Sequence, residues 1–139
     1  MIWVMESRAW QPVVEIDSAG LALAIDAHGR WTVGRNETSA RPVDEVLAWL
    51  LPVLERPWRH VAALPLPALA PTPPWEDVLR VAIGWPSTSG YWQSKALEWF
   101  EDGWPLDGFH GLLGELKDAP GTPQSVRHRA LRLWKAGRA

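Results

Sequence analysis

Three pairs of adjacent carboxylates, four histidines and one run of hydroxyls are the side chains in this sequence with the means to do chemistry. Paired acids can share general acid and general base work when their surroundings push their proton affinities apart. The pairs are Asp44-Glu45, Glu76-Asp77 and Glu101-Asp102. The first two fall where helices open, and the positive end of a helix dipole explains them without catalysis. Glu101-Asp102 falls at the C-terminal end of its helix, so it is the pair to follow. His28, His60, His110 and His128 have no acid or second histidine at ligand spacing, and no metal site is expected. Ser87-Thr88-Ser89-Gly90 lacks the glycine spacing and the lysine of a phosphate loop, and nothing nearby supplies a base. Helix capping explains it. No catalytic residue and no cofactor is assigned, and the chain is expected not to be an enzyme. A small enzyme using Glu101 and Asp102 in a cleft is the reading to set against that.

Charge is unevenly placed. Residues 123–139 carry Arg127, Arg129, Arg132, Lys135 and Arg138 and no acid, which leaves nine basic against sixteen acidic side chains, net −7, on the rest. A basic helix on an acidic body suits a nucleic-acid contact through those five residues. It suits internal pairing better, in which Glu98 would face Arg132 and Glu101 would face Lys135 across neighbouring helices.

Other classes are narrowed by composition. The chain has 139 residues, no cysteine, eleven tryptophans and thirteen prolines. A disulfide framework is excluded, and a reducing compartment is expected. No basic stretch leads into an apolar run at the start, and Pro65 and Pro67 cut the longest apolar stretch, 61–71. No signal peptide and no membrane partner are expected, and the localisation expected is cytoplasmic.

The elements that must position these residues follow from periodicity. Leu21, Leu23 and Ile25, then Trp31 and Val33, alternate with polar or small neighbours on either side of Ala27-His28-Gly29, which predicts a hairpin with Gly29 left-handed. Pro12–Asp17 supplies a partner strand and Met1–Met5 a further one, giving a small antiparallel meander with one apolar face over residues 1–41. Residues 42–50 are expected to form a helix that Pro52 kinks or ends. Residues 57–64 are either a short helix or a strand, and the prolines of 65–74 make a linker. Segment 85–103 then returns 34 residues later as 119–137, sharing Pro86/Pro120, Thr88/Thr122, Ala96/Ala130, Leu97/Leu131 and Gly103/Gly137. Upstream, Trp75, Val78, Leu79 and Ala82 answer to Phe109, Leu112, Leu113 and Leu116, each set on one helical face. Four helices follow, capped by Thr72, Ser87–Ser89, Asp107 and Thr122, with Gly103 a left-handed C-cap. The fold class is α+β: the meander, then stacked helical hairpins across 42–139, forming one compact unit.

Those hairpins, with a proline at the turn and an apolar inner stripe, resemble HEAT- or armadillo-type helical repeats over residues 73–137. The period is similar to that of tetratricopeptide repeats, and Gly84, Ala96 and Phe100 fall at that family's spacings. Pro86 breaks the first helix too early for it, and Arg80 and Gly114 stand where its first aromatic belongs. The helical-repeat resemblance implies protein binding. The expected function is a bacterial-type adaptor or immunity-like inhibitor that holds a partner protein through exposed aromatics. Trp85, Tyr91 and Trp104 lie at turns or helix entries, outside the shared stripe, and are the contact candidates; Trp92, Trp99, Phe100 and Trp134 are assigned to the core.

Overall fold

The computed structural model describes residues 10–85 and 89–137. The expected strand at Met1–Met5, the turn at Pro86, the caps Ser87 and Thr88, and Arg138 lie outside them. The fold is α+β, an antiparallel sheet followed by helices. The chain gathers into two compact units, one of residues 1–53 and 64–78, the other of residues 54–63 and 79–139.

The first unit holds the sheet. Strands β1 (Trp10–Glu15), β2 (Ala22–Asp26), β3 (Trp31–Gly34) and β4 (Arg41–Pro42) form an antiparallel meander in sequence order. Register places Val14 opposite Leu23 and Leu23 opposite Val33, one row of buried aliphatics. The other face is not left polar: Ala24 and Thr32 are buried as well. The Trp10 indole Nε1 donates to Thr32 Oγ1 at 3.1 Å, and that hydroxyl lies 3.4 Å from the Ala24 carbonyl it donates to. A meander with a single apolar face is therefore corrected: both faces carry buried side chains, and Trp10 bonds to Thr32 on the second. Pro12, which has no N–H to give a ladder, sits in edge strand β1 beside a register shift. Gly29 turns the β2–β3 hairpin at φ 77°, with Asp26 Oδ1 accepting the N–H groups of His28 and Arg30 at 2.8 and 3.0 Å.

After β4 the expected α-helix does not form. Residues Val43–Glu45 and Leu47–Glu55 are 3-10 helices instead. Pro52 lies inside the second, where it lacks an N–H and its ring would clash with an α-helical carbonyl four residues back. The tighter winding still buries Leu50, Leu51, Val53 and Leu54. The proline-rich stretch is non-helical, with a turn closed by the Ala70 N–H on the Pro67 carbonyl at 3.0 Å. Trp31 Nε1 ties it to β3 through the Pro71 carbonyl at 3.1 Å.

The second unit holds α1 (Trp58–Ala62), α3 (Tyr91–Glu101), α4 (His110–Leu116) and α5 (Gln124–Ala136); the division of the chain falls within α2 (Trp75–Ile83). Leu97, Trp99, Phe109, Leu113 and Ala130 are almost wholly buried, as the apolar stripes require. Phe100 meets Phe109 edge-on at 4.9 Å, joining α3 to the start of α4. Helices α3 and α5 lie with their starts together, since Gly90 faces Pro123 and Val126 and Ser94 faces Arg129. Two capping expectations are corrected. Helix α4 starts after Phe109 with no side-chain cap, because burying that ring moves the start beyond Asp107, which stays exposed. Pro123 precedes α5, again with no side-chain cap, and Thr122 contributes its carbonyl to Arg127 Nε at 3.1 Å.

Candidate functional site

The acidic pair at the end of α3 is gathered with others. Glu55, Glu98, Glu101 and Asp102 line a shallow depression of about 270 Å³ together with Pro57 and Arg59. Each acid already has a partner. Asp102 accepts the Arg59 backbone N–H at 2.8 Å and lies 3.3 Å from its guanidinium. Glu101 accepts two hydrogen bonds from Arg129, Glu98 lies 3.8 Å from Lys95 Nζ, and Glu55 accepts the Tyr91 hydroxyl. That last bond raises the Tyr91 pKa, with burial and the Glu55 charge acting the same way. Asp102 thus joins α3 to α1 and Glu101 joins α3 to α5, while Glu98 is paired within α3. Among the described residues, no cluster of three or more acids and histidines could hold a metal ion.

The basic helix is partly spent on the same network. Arg129 is turned inward to Glu101 and Ser94, and Arg127 to the Thr122 carbonyl, while Arg132 and Lys135 are exposed. Glu101 thus meets Arg129 where Lys135 was expected, and Glu98 meets Lys95 where Arg132 was. The reason is that Arg129 already reaches Ser94 on the same side of α3 and extends from there to Glu101, while Lys95 lies one turn from Glu98 on the same helix. His28 is exposed at its hairpin tip, and His110 stacks on Trp134 at 5.1 Å with the rings 17° from parallel.

The three aromatic candidates stand in three different settings. Tyr91 is exposed, packs edge-on against Trp92 at 4.9 Å, and has Lys95 over its ring. Trp104 is half-buried against Trp58 at 4.5 Å and Trp99 at 5.9 Å, and it borders a depression of about 700 Å³ with Phe100, Leu106, His110, Leu113 and Leu133. Trp85 is half-buried and borders a groove of about 430 Å³ with Ile83, Leu112, Leu116 and Pro120. Of the aromatics assigned to the core, Trp99 and Phe100 are buried, whereas Trp92 and Trp134 are half-exposed.

Gln93 was passed over in reading the sequence. It borders the same groove as Trp85, is 4 % exposed, and its Oε1 has no hydrogen-bond donor. Its signal lay in the spacing: Gln93, Ala96, Leu97 and Phe100 are at i, i+3, i+4 and i+7, a polar side chain on an otherwise apolar stripe.

No family model, curated protein or solved structure matches the chain. Among the described residues, no helix is long and apolar enough to cross a membrane.

Proposed function

We propose that this chain is a non-catalytic interaction module, an adaptor or an immunity-like inhibitor, that holds a partner protein through aromatic side chains left at its surface. The observation that carries the reading is Trp104, a half-exposed indole at the edge of the 700 Å³ depression walled by Phe100, Leu106, Leu113 and Leu133. An indole braced by other rings loses little freedom on binding, and such rings are the usual anchors of protein interfaces. The carboxylates around Glu101 and Asp102, each held by a partner, support the same reading against the enzyme alternative. The parallel placing of α3 and α5 supports a HEAT-like pairing of hairpins as its scaffold. Nucleic-acid binding through α5 stands second, supported by the exposed Arg132 and Lys135.

A photo-crosslinking residue placed at Leu106, with Glu37 as control, tests this in the native host. One polypeptide captured from position 106 and not from 37, and lost when Trp104→Ala is added to a chain that still folds, is the expected result. Capture of nucleic acid, or equal capture at both positions, overturns it.

A further inference from the structure

The Trp104 depression differs from the acidic one at the end of α3 in what its carboxylate is doing. Asp107 lines it and is exposed, and among the described residues no hydrogen bond or ion pair engages its side chain. Glu55, Glu98, Glu101 and Asp102, by contrast, each have a partner. None of the residues lining the Trp104 depression is lysine or arginine. Arg80 donates to the Gly108 carbonyl at 3.2 Å, but it lies over the Phe109 ring and is not among the lining residues. Helix ends add charge of the same sign. Phe100 stands in the last turn of α3, and Leu133 and Ala136 in the last turn of α5. Two helices thus bring the negative ends of their dipoles to the depression, against one positive end, that of the shorter α4. Trp104 supplies a half-exposed indole, braced by Trp58 at 4.5 Å and Trp99 at 5.9 Å, and indole is the side-chain ring that attracts a cation most strongly.

From these features we infer that the depression receives an arginine side chain of the partner protein. The inference rests on the reading of the Trp104 depression as a docking site and names the group that enters it. The planar guanidinium lies on the Trp104 indole and pairs with Asp107, while its methylene stem packs on Leu106 and Leu133. Arginine is preferred to lysine because a guanidinium is more weakly hydrated and stacks flat on an aromatic face. The body of the chain is complementary to such a partner. Residues 1–122 carry nine basic and sixteen acidic side chains, net −7, which favours the approach of a basic surface.

Two small probes test it by NMR titration of the purified chain, with no partner protein present. They are Nα-acetyl-arginine amide and its neutral isostere Nα-acetyl-citrulline amide, used at about pH 8, above the range in which histidines ordinarily charge. The arginine probe is expected to shift the Trp104 indole N–H and the Gly103 and Gly108 amides, and to leave Gly84 and Gly121 in place, with a Kd of about 10 mM or tighter. The citrulline probe is expected to bind about fivefold more weakly. Asp107→Asn, at an exposed position that leaves folding intact, should reduce that preference to about twofold. Trp104→Leu, which keeps apolar bulk against Trp58 and loses the π face, should also reduce it. Equal binding of the two probes, shifts elsewhere on the chain, or no shifts at all overturns the arginine assignment. The partner-protein reading is decided separately by capture at position 106, so the failure of one is told apart from the failure of the other.

Discussion

Arg129 grips Glu101 with two prongs, Nε to Oε2 at 3.0 Å and Nη2 to Oε1 at 2.8 Å, and reaches Ser94 Oγ with Nη1 at 2.7 Å. The bond to Glu101 is the main reason the guanidinium holds its proton more firmly than usual; burial works against it and the Glu101 and Glu98 charges work with it. A planar fork half-withdrawn from water is the geometry in which an ion pair contributes measurably.

In a double-mutant cycle, Arg129→Ala and Glu101→Ala should therefore couple by about 1 kcal/mol, the upper end for partly exposed pairs. Arg129→Lys should lose most of that, because an ammonium cannot span both oxygens and Ser94. Charge reversals at Glu98 and Arg132 should simply add, since Glu98 is held by Lys95. Urea unfolding of the seven variants, the two double mutants included, reads all three. Zero coupling at 101/129, or coupling at 98/132, would mean the helices meet differently.

Gly90 precedes α3 at φ 69°, and a Cβ there would lie 3.0 Å from Pro123 Cδ and 3.2 Å from Val126 Cγ2. Both the backbone and the close approach to the start of α5 require glycine. Gly90→Ala is expected to destabilise by about 2 kcal/mol or more, combining left-handed strain with overpacking. Gly121, at φ 83° with nothing within 4 Å of its would-be Cβ, supplies the control. Gly121→Ala should cost about 1 kcal/mol from the backbone alone. Equal losses, measured by thermal or urea unfolding, would show that α3 and α5 are less closely packed at their starts than this.

The meander and the four later helices were legible because each rests on local signals: alternation about Gly29, and apolar side chains at helical spacing from Trp75 onward. The 3-10 run Leu47–Glu55 was not, because its apolar spacing fits an α-helix as well and only Pro52 argues otherwise. Asp107 as a cap failed for a related reason. A capping residue is a local preference, and burying Phe109 outweighs it. The Trp10 bond to Thr32 was out of reach, since which face of a sheet a distant indole meets depends on register and twist. At the groove, Trp85 was picked out by its place at a turn. Gln93 was overlooked because a single amide within an apolar stripe reads as a tolerated exception until its missing partner is seen.

Trp99 is wholly buried and donates its indole N–H to the Arg56 carbonyl at 2.8 Å, while its ring lies 5.1 Å from Trp58. Trp99→Ala should cost about 3–5 kcal/mol through the cavity it leaves. Trp99→Phe keeps most of the apolar volume but removes the N–H that donates to the Arg56 carbonyl, so about 1–3 kcal/mol is expected. Chemical unfolding with a far-ultraviolet readout separates the two, because fluorescence changes with each tryptophan removed. A loss below about 1 kcal/mol for the alanine variant would contradict its place in the core.

Asp17 and Asp26 tie the first two of the sheet's three turns. Asp17 Oδ1 accepts the N–H groups of Leu21 and Ala19, each at 2.9 Å. The Leu21 bond is the chief reason its pKa lies below the ordinary 3.8, with Ala19 and the Arg35 charge helping and burial opposing. For Asp26 burial is the largest single influence and opposes ionisation, but the N–H groups of Arg30 and His28 and the Arg30 guanidinium together outweigh it. Both carboxyls thus hold protons less tightly folded than unfolded. Their contribution to stability is complete above the unfolded value, shrinks as pH falls through it toward the folded one, and is absent below both. Amide exchange at Leu21 and Arg30 should accordingly lose protection as pH drops below about 4, after correction for intrinsic exchange, and stay level between about 5 and 7. In Asp17→Asn and Asp26→Asn the side-chain oxygen still accepts but no longer titrates, so protection at the corresponding amide should be lower at neutral pH and flat into acid. The same acid-side loss in the asparagine variants would assign the effect to other carboxylates and remove these two from the account.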